Sequence, residues 1–210
     1  MSELAFACVD SRADTAAAAP SIALRLRITE PTGVRVHAIA LRTQVRIEPR
    51  RRRYDEHEAQ ALQDLFGERA RWGDTQQPLQ LAFVSHVVPT FTGETEFDLA
   101  LPCSYDFDVA AHKYLYSLAD GEIPLLLLFS GTVFTAADGG FTVAPIGWHN
   151  EARYRLPTQV WRQTMALHFP NTAWLRLSQD SFDALYRYRA DHALISWDTA
   201  VERLLKEAGR

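Results

Sequence analysis

The chain has 210 residues, 47% hydrophobic and 23% charged, with a net charge of −4 at neutral pH and two cysteines. That apolar content excludes a disordered chain, and two isolated cysteines, Cys8 and Cys103, exclude a disulfide scaffold. The slightly acidic balance gives no overall field toward nucleic acid or an anionic membrane, and the length suits one domain with or without an appended subdomain.

Residues 1–19 read as a flexible lead, small and polar at first, then an alanine run closed by Pro20. Glu3, Asp10, Arg12 and Asp14 interrupt any apolar core of a secretion signal. The longest strongly apolar run, Ile123 to Phe129, falls far short of the roughly 20 residues that span a bilayer. A cytoplasmic address without membrane insertion is therefore expected, with both cysteines as free thiols.

From Ser21 the pattern has period two. Ile22, Leu24, Leu26 and Ile28 share one face, and Arg25, Arg27 and Thr29 the other, as in a half-buried strand. Glu30-Pro31-Thr32-Gly33 reads as a turn. A second strand follows, in which Ile39, Leu41, Val45 and Ile47 alternate with Arg42, Gln44, Arg46 and Glu48. The two together predict an antiparallel hairpin.

The period then shifts. Asp55 with Glu58 forms a capping-box variant for an inserted helix near 55–66, whose stripe Ala61, Leu62, Leu65 and Phe66 ends at Gly67. Strand patterning resumes in Leu79 to Val88, Glu94 to Leu101, part of Tyr105 to Leu118, Ile123 to Thr135 and Phe141 to Ile146, punctuated by Pro and Gly. Residues 20–148 are thus expected to be a mainly β core. Residues 149–210 are expected to be a helical part packed on it. Helices are predicted from Thr158 to His168, after a cap at Ser178, and from Ser196 through Leu205, with a short strand-like piece at Trp174 to Leu177. The fold class is α+β: an antiparallel β-sandwich or strongly bent sheet of about seven strands, with one inserted helix and a C-terminal helical cap.

Few residues suggest chemistry. In LPCSYDFD, Cys103 lies close to Asp106 and Asp108, carboxylates that would raise rather than lower a thiol pKa. Asp98, Asp106, Asp108, Asp120 and Glu122 are too dispersed for a dense cation-binding loop. The seven histidines are scattered, without helical i, i+4 pairs or a CxxC partner, so zinc and iron have no local signature. His149, beside Trp148 and Asn150, is the most suggestive of them because it lies between the β and helical parts. No phosphate-binding glycine loop, nucleophile elbow or cofactor motif occurs. Cys103, Asp106 and His149 remain as reactive-site candidates.

Of the 22 basic residues, most are arginines alternating out of strands or riding on helix faces. Only Arg50, Arg51, Arg52 and Arg53 cluster, and four guanidinium groups in a row suit docking of a carboxylate- or phosphate-bearing partner. The competing reading is that they pair with the acidic turn of Asp55, Glu56 and Glu58. The abundant Trp and Tyr residues serve as core and as potential interface anchors.

The runs YDEHEAQALQDLFGERARW (54–72), LPCSYDFDVAAHKYLYSLADGEIPLLLLFSGTVF (101–134), RLPTQVWRQTMALHFPNTAWLRL (155–177) and the closing SWDTAVERLL resemble an uncharacterised bacterial family of about this length, from Pro20 to Leu205. Its members are often encoded beside actinobacterial-type nickel-iron hydrogenases. That resemblance implies a non-enzymatic accessory role, with a hydrogenase subunit or maturation factor as partner, and it supplies no catalytic residues. SFDALYRYR is also similar to the end of the export chaperone SecB, which would imply a client-binding chaperone. A small metal- or thiol-dependent enzyme is the third alternative.

Overall fold

The computed structural model describes residues 4–103, 109–137, 139–172 and 177–209. They form two compact units, Met1–Pro170 and Asn171–Arg210.

The first unit has eight strands in two antiparallel sheets. The smaller joins β1 (Ala5–Ala13), β2 (Ser21–Thr29) and β5 (Glu94–Pro102) in the order β1-β2-β5. The larger runs β4 (Leu79–Val88), β3 (Val36–Ile47), β6 (Glu122–Ala137) and β7 (Gly140–Pro145), with β8 (Glu151–Pro157) also paired to β6. Ile22, Leu24, Leu26 and Ile28 of β2 join Ile39, Leu41, Val45 and Ile47 of β3 and Ile123, Leu125 and Leu127 of β6 in one buried core. Burial of each such side chain contributes roughly 2 kcal/mol. The sides are closed by ring contacts: His86 of β4 stacks on Phe97 of β5 at 4.5 Å, and Phe6 of β1 on Phe129 of β6 at 4.4 Å.

The expected α+β class is what the structure has, and four local expectations change. Residues Ala5–Ala13, assigned to a flexible lead, form β1, which pairs along β2 from Ala5↔Thr29 to Ala13↔Ile22. β2 and β3 are not a hairpin, because β2 lies between β1 and β5, and β3 between β4 and β6. The observed register sets Arg25 against Asp98 and Arg27 against Glu96, opposite charges that favour β5 as the partner of β2. Part of the Tyr105 to Leu118 stretch is helix α4 (Val109–Ser117), with Ala111, Tyr114, Leu115 and Leu118 buried at helical spacing. Finally, the part expected to be helical from 149 begins with β8, where Ala152 and Leu156 point inward and Glu151, Arg153 and Arg155 outward. The strand-like piece at Trp174 to Leu177 lies largely outside the described residues.

The inserted helix is present as α1 (Glu56–Ala61) and α2 (Gln63–Phe66), followed by the one-turn α3 (Trp72–Thr75). Asp55 caps it, accepting from the Glu58 N–H at 2.8 Å, and Gly67 ends it at φ 74°. The helix α5 (Thr158–His168) buries Val160, Trp161 and Thr164. Through the strand pairing, the connections that carry α1 to α4, and α5 after β8, all fall at one end of the sandwich. The opposite end carries the segments 30–35 and 89–93 and the β6–β7 turn.

In the second unit, α6 (Gln179–Asp191) and α7 (Trp197–Glu207) form a helical pair. Ser178 and Ser196 cap them, the latter in a full capping box with Thr199. Trp197 holds the pair together, lying 5.5 Å from Phe182 and carrying the Arg189 guanidinium 4.0 Å from its ring centroid.

Candidate functional site

The four-arginine run does not form a common surface. Arg52 is buried, its side chain 9% exposed, and pairs with Glu58, itself 4% exposed. It also donates to the Asp120 carbonyl at 2.7 Å, while Glu58 accepts from the Ala119 N–H at 2.8 Å. The capping-box glutamate thus turns away from its own helix to anchor the α4–β6 loop. Arg50 donates to the Gly73 carbonyl, and Arg51 pairs with Glu48 at 2.8 Å. Arg53 remains exposed.

The three reactive-site candidates do not converge. Cys103 is buried, its amide donates to the Pro20 carbonyl at 2.7 Å, and burial pushes its thiol up to about 12. Asp106 lies outside the described residues. His149 is exposed and lines a cavity that Cys103 does not reach. Among the described residues no group of three or more His, Cys, Asp or Glu side chains is placed to hold a metal ion.

The cavity, about 660 Å3, sits at the end of the sandwich that carries no helices. Inward positions of β6 and β7 become short there: Val133 faces Ala144 and Thr135 faces Thr142 across the strand pair. Leu4, Val34 and Ile146 supply further apolar wall, and Thr32, His149 and Asn150 polar groups. One wall is a turn between β7 and β8. There the Asn150 N–H and Nδ2 both donate to the Gly147 carbonyl, at 3.1 and 3.0 Å, and the Ile146 N–H donates to the Gly131 carbonyl at 2.9 Å. A Cβ on Gly147 would come within 2.7 Å of the His149 ring, so glycine permits the turn. Trp148 stands at its crest, 93% exposed.

The outer faces of the two sheets differ in chemistry. On the three-stranded sheet, Arg12 and Arg25 each approach Asp98 at 2.6 Å and Arg27 approaches Glu96 at 2.6 Å, so charge is matched across strands. The Arg12 hydrogen bond, then that of Arg25, holds the Asp98 carboxyl well below the usual carboxylate range. On the five-stranded sheet the outward residues of β4 are Phe83, Ser85 and Val87, with Phe83 72% and Val87 70% exposed. Across the alanines Ala38 and Ala40 of β3, β6 and β7 raise Phe134, Phe141 and Val143, with Phe141 63% exposed. Val87 on one side and Phe134 with Val143 on the other thus flank the methyl groups of Ala38 and Ala40, while Phe83 lies further along β4, across from Gln44. Arg42 and Arg46 share this face, and neither has an ion-pair partner among the described residues.

Sequence reasoning named His149 but not Thr135, Thr142 or the flanks Phe83 and Phe141. The available signals were threonine and alanine at inward positions of β6 and β7, and phenylalanine and valine at outward positions of β4.

The sequence model of a family described as "Family of unknown function (DUF6084)" matches residues 1–210, in agreement with the resemblance to an uncharacterised family. No curated protein matches the chain. Among solved structures, it is similar to a protein described as late embryogenesis abundant (LEA), at 11% identity over 73% of this chain and 71% of that one, with a TM-score of 0.33. A likeness at that level carries no argument.

Proposed function

We propose that this chain, which belongs to the DUF6084 family of unknown function, is a non-catalytic binding protein that docks a protein partner on the outer face of its five-stranded sheet. The observation that carries this reading is the trough in which Val87 faces Phe134, Phe141 and Val143 across Ala38 and Ala40, with the exposed Phe83 further along β4. Contiguous exposed apolar surface on a folded domain marks interaction sites. Arg42 and Arg46, which have no ion-pair partner among the described residues, favour a partner that presents carboxylates around an apolar centre. Docking thereby moves from the Arg50 to Arg53 run, three of whose members are engaged within the chain, to the sheet face.

We further propose, on the resemblance to a family encoded beside nickel-iron hydrogenases, that the partner is a hydrogenase subunit or maturation factor. The test is affinity purification from a hydrogenase-expressing host with the wild-type chain and the Phe83→Ser/Phe141→Ser variant. Recovery of a hydrogenase-related protein by the wild type and its loss in the variant is expected. Equal recovery by both chains removes the sheet face from the reading, and absence of any hydrogenase-related protein removes the partner. Recovery of many unrelated unfolded polypeptides would instead mark a SecB-like client-binding role, which an exposed apolar face also suits.

A further inference from the structure

We infer that the cavity at the helix-free end of the sandwich is a second site, separate from the docking face, that binds a neutral, mainly apolar small molecule carrying a hydroxyl or carbonyl group. Its volume, about 660 Å3, lies within the range of roughly 300 to 1,000 Å3 typical of small-molecule sites. The walls are fixed by structure that resists collapse. Val133 and Ala144 are paired in register, Ile146 is tied to Gly131 through the backbone, and the Gly147–Asn150 turn is closed by two hydrogen bonds. A void among flexible side chains would close around its own methyl groups, whereas here the short residues Ala144, Thr135 and Thr142 hold the walls apart.

The lining sets the ligand class. Among the described residues no Lys, Arg, Asp or Glu lines the cavity, so a charged head group would lose hydration there without gaining a counter-ion from them. The polar side chains of the lining are Thr32, Thr135, Thr142, His149 and Asn150. The Thr32 hydroxyl is already given to the Glu30 carboxylate, and the Asn150 amide nitrogen to the Gly147 carbonyl. The Thr135 and Thr142 hydroxyls have no hydrogen-bond partner among the described residues and face one another across the strand pair at the cavity wall. They suit one hydroxyl or carbonyl of a ligand whose remainder lies against Leu4, Val34, Val133 and Ile146.

The test titrates the full chain with the neutral fluorophore N-phenyl-1-naphthylamine and displaces it with 1-decanol, decanoate or decylamine, each below its aggregation limit. Saturable binding to one site is expected, with decanol displacing the probe about ten-fold better than either charged analogue, a difference of about 1.4 kcal/mol. Ala144→Phe should fill the cavity and weaken binding about ten-fold or more, with the melting temperature preserved. Thr142→Trp, at the exposed mouth, gives the same outcome where the first variant fails to fold. Thr135→Val/Thr142→Val should keep the probe and lose the preference for decanol. Failure of the folded wild type to bind, unchanged binding in both filled variants, or stronger displacement by decanoate overturns the site. Loss of binding in the Phe83→Ser/Phe141→Ser variant also overturns it, because the probe would then be on the docking face; that result leaves the docking proposal standing.

Discussion

Glu58 shows how one side chain changes meaning between chain and fold. In the sequence it is the third residue of a capped helix. In the structure it is a buried carboxylate held by Arg52 and by the Ala119 N–H, joining the inserted helix to the loop that starts β6. Removing one partner of such a pair leaves the other buried and uncompensated. Glu58→Ala is therefore expected to destabilise the first unit by about 3 kcal/mol, read as a lowered urea midpoint at unchanged slope. Cys103 is the converse case, a residue whose chemistry burial suppresses. With its thiol raised to about 12, and that of Cys8 also raised to about 12 by burial, little thiolate exists at neutral pH. Both should react slowly with a disulfide reagent in the native protein and promptly in denaturant. Fast native labelling of Cys103 would revive a thiol-dependent activity.

The element that shapes the candidate sites is β6. Its 16 residues pair with β8 through the first half and with β7 through the second, and Gly131 stands where the partner changes. Its φ is 137°, and a Cβ there would lie 2.0 Å from the Ala40 carbonyl oxygen, so only glycine lets β3 and β6 approach at that point. Gly131→Ala forces the strands apart. It is expected to cost about 3 kcal/mol, combining strain with overpacking, and to lower the melting temperature; a variant as stable as the wild type would show that β3 and β6 part there without penalty. The excursion opposite Gly131 presents Trp148 and His149, so the change of strand partner and the cavity wall fall at one place on β6.

Across the whole first unit, the two sheets share a core and carry opposite surface designs. The three-stranded sheet neutralises its arginines with Asp98 and Glu96, while the five-stranded sheet leaves Arg42 and Arg46 beside exposed phenylalanines. The first design has a pH signature. Because the folded Asp98 carboxyl is held below its unfolded value of about 4, its contribution is full above that pH and lost as pH falls below it. Asp98→Asn should melt a few degrees lower at pH 7, with the difference narrowing steadily as pH falls below about 4. The difference at pH 7 should shrink in about 1 M salt, since these groups are partly exposed. A variant that melts with the wild type at every pH would show the ladder to be without effect on stability.

Much of the sandwich is legible locally. The period-two runs of β2, β3, β4 and β6, the Asp55 cap, the Gly67 stop and the Thr158–His168 helix all follow from side-chain periodicity and backbone preference, which act within a few residues. Strand partnership is not local: whether β2 meets β3 or β5 depends on which distant strand offers Asp98 and Glu96 to Arg25 and Arg27. The same holds for β8, whose alternation is clear only once β6 supplies an edge, and for α4, where Tyr114, a residue type that favours strands, is buried on a helical stripe with Ala111, Leu115 and Leu118. Candidate sites stand furthest from local reading. The cavity arises because short inward residues on two strands fall opposite one another, and the docking trough because outward residues of four strands fall side by side. Sequence alone thus determined most of the elements and the α+β class, since these rest on interactions between near neighbours, but not β1, α4 or β8. Only the tertiary structure decided the pairing, the burial of Arg52 and the two surfaces on which the proposed functions rest, since these depend on residues far apart in the chain.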